Sequence, residues 1–239
     1  MIRFVVIIAL FFVCCQTPEN VAPIEIRVLY VGNSLTYTND LPQLVQEIGT
    51  VERVKINYKS LLFPNYSLED HWKEGKVQQE IESGKYDFIV AQQGPSALPE
   101  SQVLLLEYTQ KLADLCRKNK TKLALYMVWP SLTRSFDFDN VIFSYTQAAR
   151  KTESLLCPAG VAWQYAWQAD PKIALYGNDG FHPSIKGSAV AAMVVYASLF
   201  QKKELNFLQF EKIPWERELT NQEFDILRNS AQKAIDKDK

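Results

Sequence analysis

Two short stretches far apart in the chain carry the side chains of nucleophilic catalysis. Gly32-Asn33-Ser34-Leu35-Thr36 puts a serine hydroxyl just beyond an apolar run, Ile26 to Val31. Asp179-Gly180-Phe181-His182-Pro183 puts an imidazole three residues after a carboxylate. A serine hydroxyl needs a base to take its proton, and the base needs a third group to hold it in the right tautomer. The chain has 2 histidines in 239 residues, so the choice of base is nearly forced. The expected chemistry is acyl transfer, with Ser34 as nucleophile, His182 as base and Asp179 as the group that orients it.

The flanking residues suit these roles. Pro183 disfavours helical backbone at His182, and a helix is expected to begin at Ser184, so the imidazole sits on a stiff corner. Asp179 also fits a turn, with Asn178 and Gly180 beside it, and the two roles are compatible. Asn33 and Thr36 fit the cap of a following helical turn. His71, on a short helical segment next to Trp72, reads as packed or surface-polar. Acyl transfer also needs donors for the oxyanion of the tetrahedral intermediate, and the backbone N–H of Ser34 is the first candidate.

The two blocks, in this order, resemble those of the SGNH or GDSL-like hydrolase superfamily over roughly Ile26 to Phe200, with Asn33 where many members have Asp. The resemblance implies a three-layer α/β/α sandwich with a mainly parallel, flavodoxin-like sheet, ester hydrolysis, and two further oxyanion donors. One is a glycine after the second strand; the other is an Asn side chain after the third. This chain departs from both. Its second block is Pro64-Asn65-Tyr66-Ser67-Leu68, where Asn65 stands for the glycine and tolerates the same unusual backbone angles. Its third is Ala91-Gln92-Gln93-Gly94, where a glutamine amide replaces the asparagine. Neighbouring residues at a strand end face opposite ways, so one of Gln92 and Gln93 is expected to point into the site.

The elements that position these blocks alternate along the chain, which argues for a parallel sheet with helices on both faces. Strands are expected at Ile26–Val31, Val54–Lys59, Phe88–Gln92 and Leu123–Val128, with a short one near Gly160–Ala162. Helical patterns cover Leu41–Ile48, Pro99–Lys118, Val141–Leu156, Ser184–Phe200 and Asn221–Lys237. No Pro/Gly/Ser-rich linker interrupts them, so residues 24–239 read as one domain. Trp129, Trp163, Tyr165, Trp167 and Phe181 are expected to be packing residues first and pocket lining second.

Hydrophobic content of 47%, charged content of 22% and a net charge of −1 are ordinary for a globular protein, and give no reason to expect nucleic acid or anionic membrane as a partner. Neither a metal-ligand cluster nor a phosphate-cradling glycine loop stands out, so no cofactor is implied. Met1-Ile2-Arg3 followed by the apolar run Phe4 to Val13 reads as a secretory signal, too short to span a bilayer. Residues 1–15 end in Cys14-Cys15 and resemble a bacterial lipobox. Cys15 would then be the lipidated first residue of an exported lipoprotein, attached to membrane through that anchor alone, in the periplasm or on the cell surface. Ordinary signal cleavage near the same point is the alternative. Cys116 and Cys157 fit either a disulfide or two small buried hydrophobes.

The substrate expected from this reading is a small-molecule or glycan O-acyl ester, with acetyl esters of carbohydrates foremost. An acyltransferase with the same triad and a non-catalytic surface carbohydrate-binding protein on a hydrolase scaffold are the competing classes.

Overall fold

The computed structural model describes residues 24–202, 204–215 and 218–237; the signal segment and Cys15 lie outside them. Five strands form one parallel sheet in the order β2-β1-β3-β4-β5. They are β1 (Ile24–Gly32), β2 (Val54–Leu62), β3 (Phe88–Ala91), β4 (Lys122–Tyr126) and β5 (Leu155–Cys157). The sheet has the flavodoxin-like order, and the chain reverses its direction of winding between β1 and β3. A crevice opens there at the strands' C-terminal ends, and β1 delivers Ser34 into it. Val28 to Val31 are fully buried, as expected of a central parallel strand covered on both faces. Each such side chain contributes about 1.5–3 kcal/mol of burial.

The helices are α1 (Ser34–Tyr37), α2 (Leu41–Val51), α3 (Leu68–Glu74), α4 (Lys76–Glu82), α5 (Pro99–Lys118), α6 (Phe138–Thr152), α7 (Ala159–Ala169), α8 (Ile185–Leu199) and α9 (Asn221–Lys237). One layer is built on α5, which packs against α3, α4 and α6; the other is built on α8, which packs against α2, α7 and α9. The small residues Gly187, Ser188, Ala189, Ala191 and Ala192 of α8 are buried, so this helix lies close to its neighbours.

The last part of the sheet differs from the sequence expectation. The fifth strand is Leu155–Cys157, and Gly160–Ala162 instead lies in α7. The helix expected to run to Leu156 stops at Thr152, because Glu153 turns left-handed at φ 54°. A short apolar run such as Leu155-Leu156 suits either a helix or a strand, and only its pairing with Ala124 and Leu125 decides. Cys116 and Cys157 are both buried and are not bridged to one another. Burial pushes the Cys116 thiol up to about 12, which makes it inert at neutral pH.

Candidate active site

The turn that carries Ser34 is fixed from three sides. Asn33 caps α1: its Oδ1 accepts from Leu35 N at 3.0 Å, while its Nδ2 donates to the Tyr66 carbonyl at 2.9 Å. Gln92, fully buried at the end of β3, holds the same turn from beneath. Its Oε1 accepts from Asn33 N at 3.0 Å and from Thr36 Oγ1 at 2.9 Å, and its Nε2 donates to the Gln93 carbonyl at 2.5 Å. Gly32 leaves room for this amide, since a Cβ there would lie 2.6 Å from Gln92 Oε1. On the third side, His71 Nε2 lies 2.8 Å from the Gly32 carbonyl. A carbonyl only accepts, so the proton sits on Nε2. His71 is 3% exposed, and burial lowers its pKa from the ordinary 6.5, which favours the neutral ring as a structural donor to the turn that carries Ser34.

Ser34 itself is 8% exposed. It lies on the wall of a cavity of about 490 Å³ together with Asn65, Gln93, Leu98, Arg134 and Phe181. Among the described residues its hydroxyl makes no hydrogen bond, which leaves Oγ available for chemistry.

Several hydrogen bonds hold the loop that bears His182. Asp179 Oδ2 lies 2.5 Å from His182 Nδ1, and Oδ1 accepts from the backbone N–H groups of Phe181 and His182, both at 2.9 Å. The hydrogen bond with His182 and those from the two amides lower the Asp179 pKa to about 2, so the carboxylate is ionised and holds the proton of the imidazole on Nδ1. That arrangement leaves Nε2 as the basic nitrogen. Gly180 adopts φ 68° to make the turn, and its carbonyl accepts from Leu132 N at 2.7 Å. Trp129 Nε1 donates to the Phe181 carbonyl at 3.1 Å. Trp129 stacks on Trp163 at 3.5 Å between ring centroids, so both indoles form the floor under this loop, and of the five aromatics only Phe181 lines the cavity. Asn39 joins the two halves of the site. Its Nδ2 donates to the Pro183 carbonyl at 3.0 Å and to Ser188 Oγ at 2.9 Å.

The groups expected to serve the oxyanion are distributed unevenly. Gln93 lines the cavity and Gln92 does not. Gln93 Nε2 donates to Ser96 Oγ at 3.0 Å and to the Ser101 carbonyl at 3.2 Å, while its Oε1 accepts from Leu68 N at 3.3 Å. Asn65 has the left-handed φ of 62° that a glycine would adopt. Among the described residues, neither its backbone N–H nor its side-chain amide donates a hydrogen bond.

Sequence reasoning missed Asn39, whose partners lie about 144 residues away, and it missed the ion pair of Arg134 with Asp137 on the cavity wall. An Arg and an Asp three residues apart in the segment after the fourth strand were the available signal for that pair.

The chain matches no protein-family model and no curated protein sequence. Solved structures do match. A DUF4886 family protein from Bacteroides uniformis has a TM-score of 0.71 at 18% identity, covering 90% of this chain and 96% of that one. A proposed SGNH hydrolase from Slackia heliotrinireducens has a TM-score of 0.64 at 22% identity, covering 73% and 99%. The fold is that of the SGNH hydrolases. An acetylxylan esterase from Geobacillus stearothermophilus shares this SGNH fold, with a TM-score of 0.53 at 17% identity over 78% of this chain and 98% of that one.

Proposed function

We propose that the protein is a serine ester hydrolase that removes O-acyl groups, acetyl foremost, from carbohydrates. What supports the reading is a Ser34 hydroxyl on a cavity wall, without a hydrogen-bond partner among the described residues, together with an Asp179-held imidazole on a loop that Asn39 ties to the segment after Ser34. The fold shared with an acetylxylan esterase supports the substrate class.

In this reading Ser34 Oγ attacks the ester carbonyl carbon while His182 Nε2 takes its proton. Asp179 stabilises the imidazolium that forms and is not itself protonated. The negative charge on the carbonyl oxygen is met by the N–H groups of Ser34 and Asn65. Gln93 joins them by turning one N–H from the Ser101 carbonyl. The imidazolium then gives its proton to the departing alkoxide, and water, deprotonated by His182, releases the acid from Ser34. Export as a lipoprotein anchored through Cys15 would put the enzyme where extracellular glycans are met.

A non-catalytic carbohydrate-binding role is the second reading, favoured by one observation: both N–H bonds of the Gln93 amide are already occupied. A p-nitrophenyl acetate assay separates the two. Hydrolysis by the wild type that disappears in Ser34→Ala supports the enzyme; equal rates in both proteins exclude it.

A further inference from the structure

Arg134 and Asp137 are the charged side chains among the residues lining the cavity that contains Ser34. Asp137 is buried at 5% exposure. Its Oδ2 accepts from Arg134 Nε at 2.7 Å and lies 2.6 Å from Nη2, and its Oδ1 accepts from Asn140 Nδ2 at 3.3 Å. Both carboxylate oxygens are therefore engaged, Oδ1 by Asn140 and Oδ2 by two nitrogens of the guanidinium, which it holds in place. Arg134 breaks the short helical turn Leu132–Asp137 with φ −120° and ψ 28°. Its side chain remains 46% exposed, and among the described residues its Nη1 has no hydrogen-bond partner.

Beyond any contribution to stability, a guanidinium fixed in advance binds a ligand at a lower entropic cost. Its unused N–H bonds form a planar fork that matches two adjacent oxygens. The pair is neutral overall, which favours hydroxyl oxygens over a carboxylate. Phe136, between the two in sequence, is 76% exposed with the Arg134 guanidinium 5.8 Å from its ring centre. An exposed ring beside a polar fork suits a sugar, which has an apolar C–H face and a hydroxyl edge.

We propose that Arg134, held by Asp137 and flanked by Phe136, is the subsite that receives the neutral sugar bearing the ester, and that it sets the preference for glycan esters over simple ones. The proposal rests on the esterase reading above.

The test compares kcat/KM for an O-acetylated methyl glycoside and for p-nitrophenyl acetate in the wild type, Arg134→Met and Arg134→Lys, with Arg117→Met, in the last turn of α5 and outside the cavity lining, as a control. The ratio of glycoside to aryl-ester activity should fall about tenfold or more in Arg134→Met, mainly through KM, and stay low in Arg134→Lys, which keeps the charge but not the fork. A ratio equal to that of the wild type overturns the proposal. So does a larger loss on an acetylated uronic acid than on the neutral glycoside. If the wild type cleaves neither ester, the esterase reading fails, and calorimetric titration with unesterified xylotetraose decides for Arg134. Affinity about tenfold weaker in Arg134→Met supports the subsite, and equal affinity, or binding by neither protein, removes it.

Discussion

Asn39 Nδ2 donates to the Pro183 carbonyl at 3.0 Å, so the chain five residues past Ser34 is fastened to the residue after His182. The same amide reaches Ser188 Oγ in α8. Ser34 and His182 come from opposite ends of the sequence, and this contact links their loops directly. Asn39→Asp keeps a residue suited to the left-handed backbone at φ 56° but sets an acceptor against a carbonyl. Turnover should fall at least about tenfold, with a loss of about 1–3 kcal/mol in stability. Steady-state kinetics and a thermal melt check both, and wild-type values in each would show that the link is dispensable.

Gln92 and Gln93 are adjacent glutamines with different work. Gln92→Leu leaves the Asn33 backbone N–H and the Thr36 hydroxyl without their buried partner, while Tyr145 Oη still donates to the Gln93 carbonyl, and should destabilise the protein by about 2–4 kcal/mol. Gln93→Glu keeps the shape but removes the N–H donors; kcat should fall roughly 10²–10³-fold with KM little changed. Chemical denaturation and steady-state kinetics separate the two effects. A stable Gln92→Leu protein or an unimpaired Gln93→Glu enzyme would contradict the assignment concerned.

This division was not legible in the sequence. The alternation of faces along β3 says that the two side chains point apart, but the partners of Gln92 lie 59 and 56 residues away in the turn after β1. Local pattern carries no information about such contacts. The blocks that hold Ser34, Asp179 and His182 stand out in the sequence because each is complete within five residues. The first four strands were legible near their observed places, whereas β5, three residues long, is defined only by its neighbour β4.

His71 gives the fold a pH dependence of its own. Burial lowers its pKa below 6.5 in the folded protein, so below that pH the unfolded chain binds more protons and stability declines as the pH drops. Well above pH 6.5 both states are neutral and the contribution is flat. His71→Gln keeps an amide donor for the Gly32 carbonyl without titrating. Melting temperatures from pH 7 to pH 5 should therefore fall less steeply in this variant than in the wild type. Parallel curves would place the titrating group elsewhere.

Asp179, held at about 2, stays ionised through the range of ordinary assays. Loss of activity on the acid side therefore does not report protonation of this carboxylate. Asp179→Asn retains an acceptor for the loop amides but favours the wrong imidazole tautomer, and kcat should drop about 10³–10⁴-fold with the melting temperature little altered. A fall in stability with kcat preserved would make Asp179 a turn former alone.

The central claim is that Ser34 is a nucleophile activated by His182, and covalent labelling tests it most directly. The purified protein is treated with a fluorophosphonate, whose phosphorus is attacked by an activated serine with loss of fluoride, and then mapped by peptide mass spectrometry. The account predicts one phosphonate adduct, on Ser34, that is absent from Ser34→Ala and strongly slowed in His182→Ala. No adduct on the wild type, or an adduct on another serine that persists in Ser34→Ala, would contradict it.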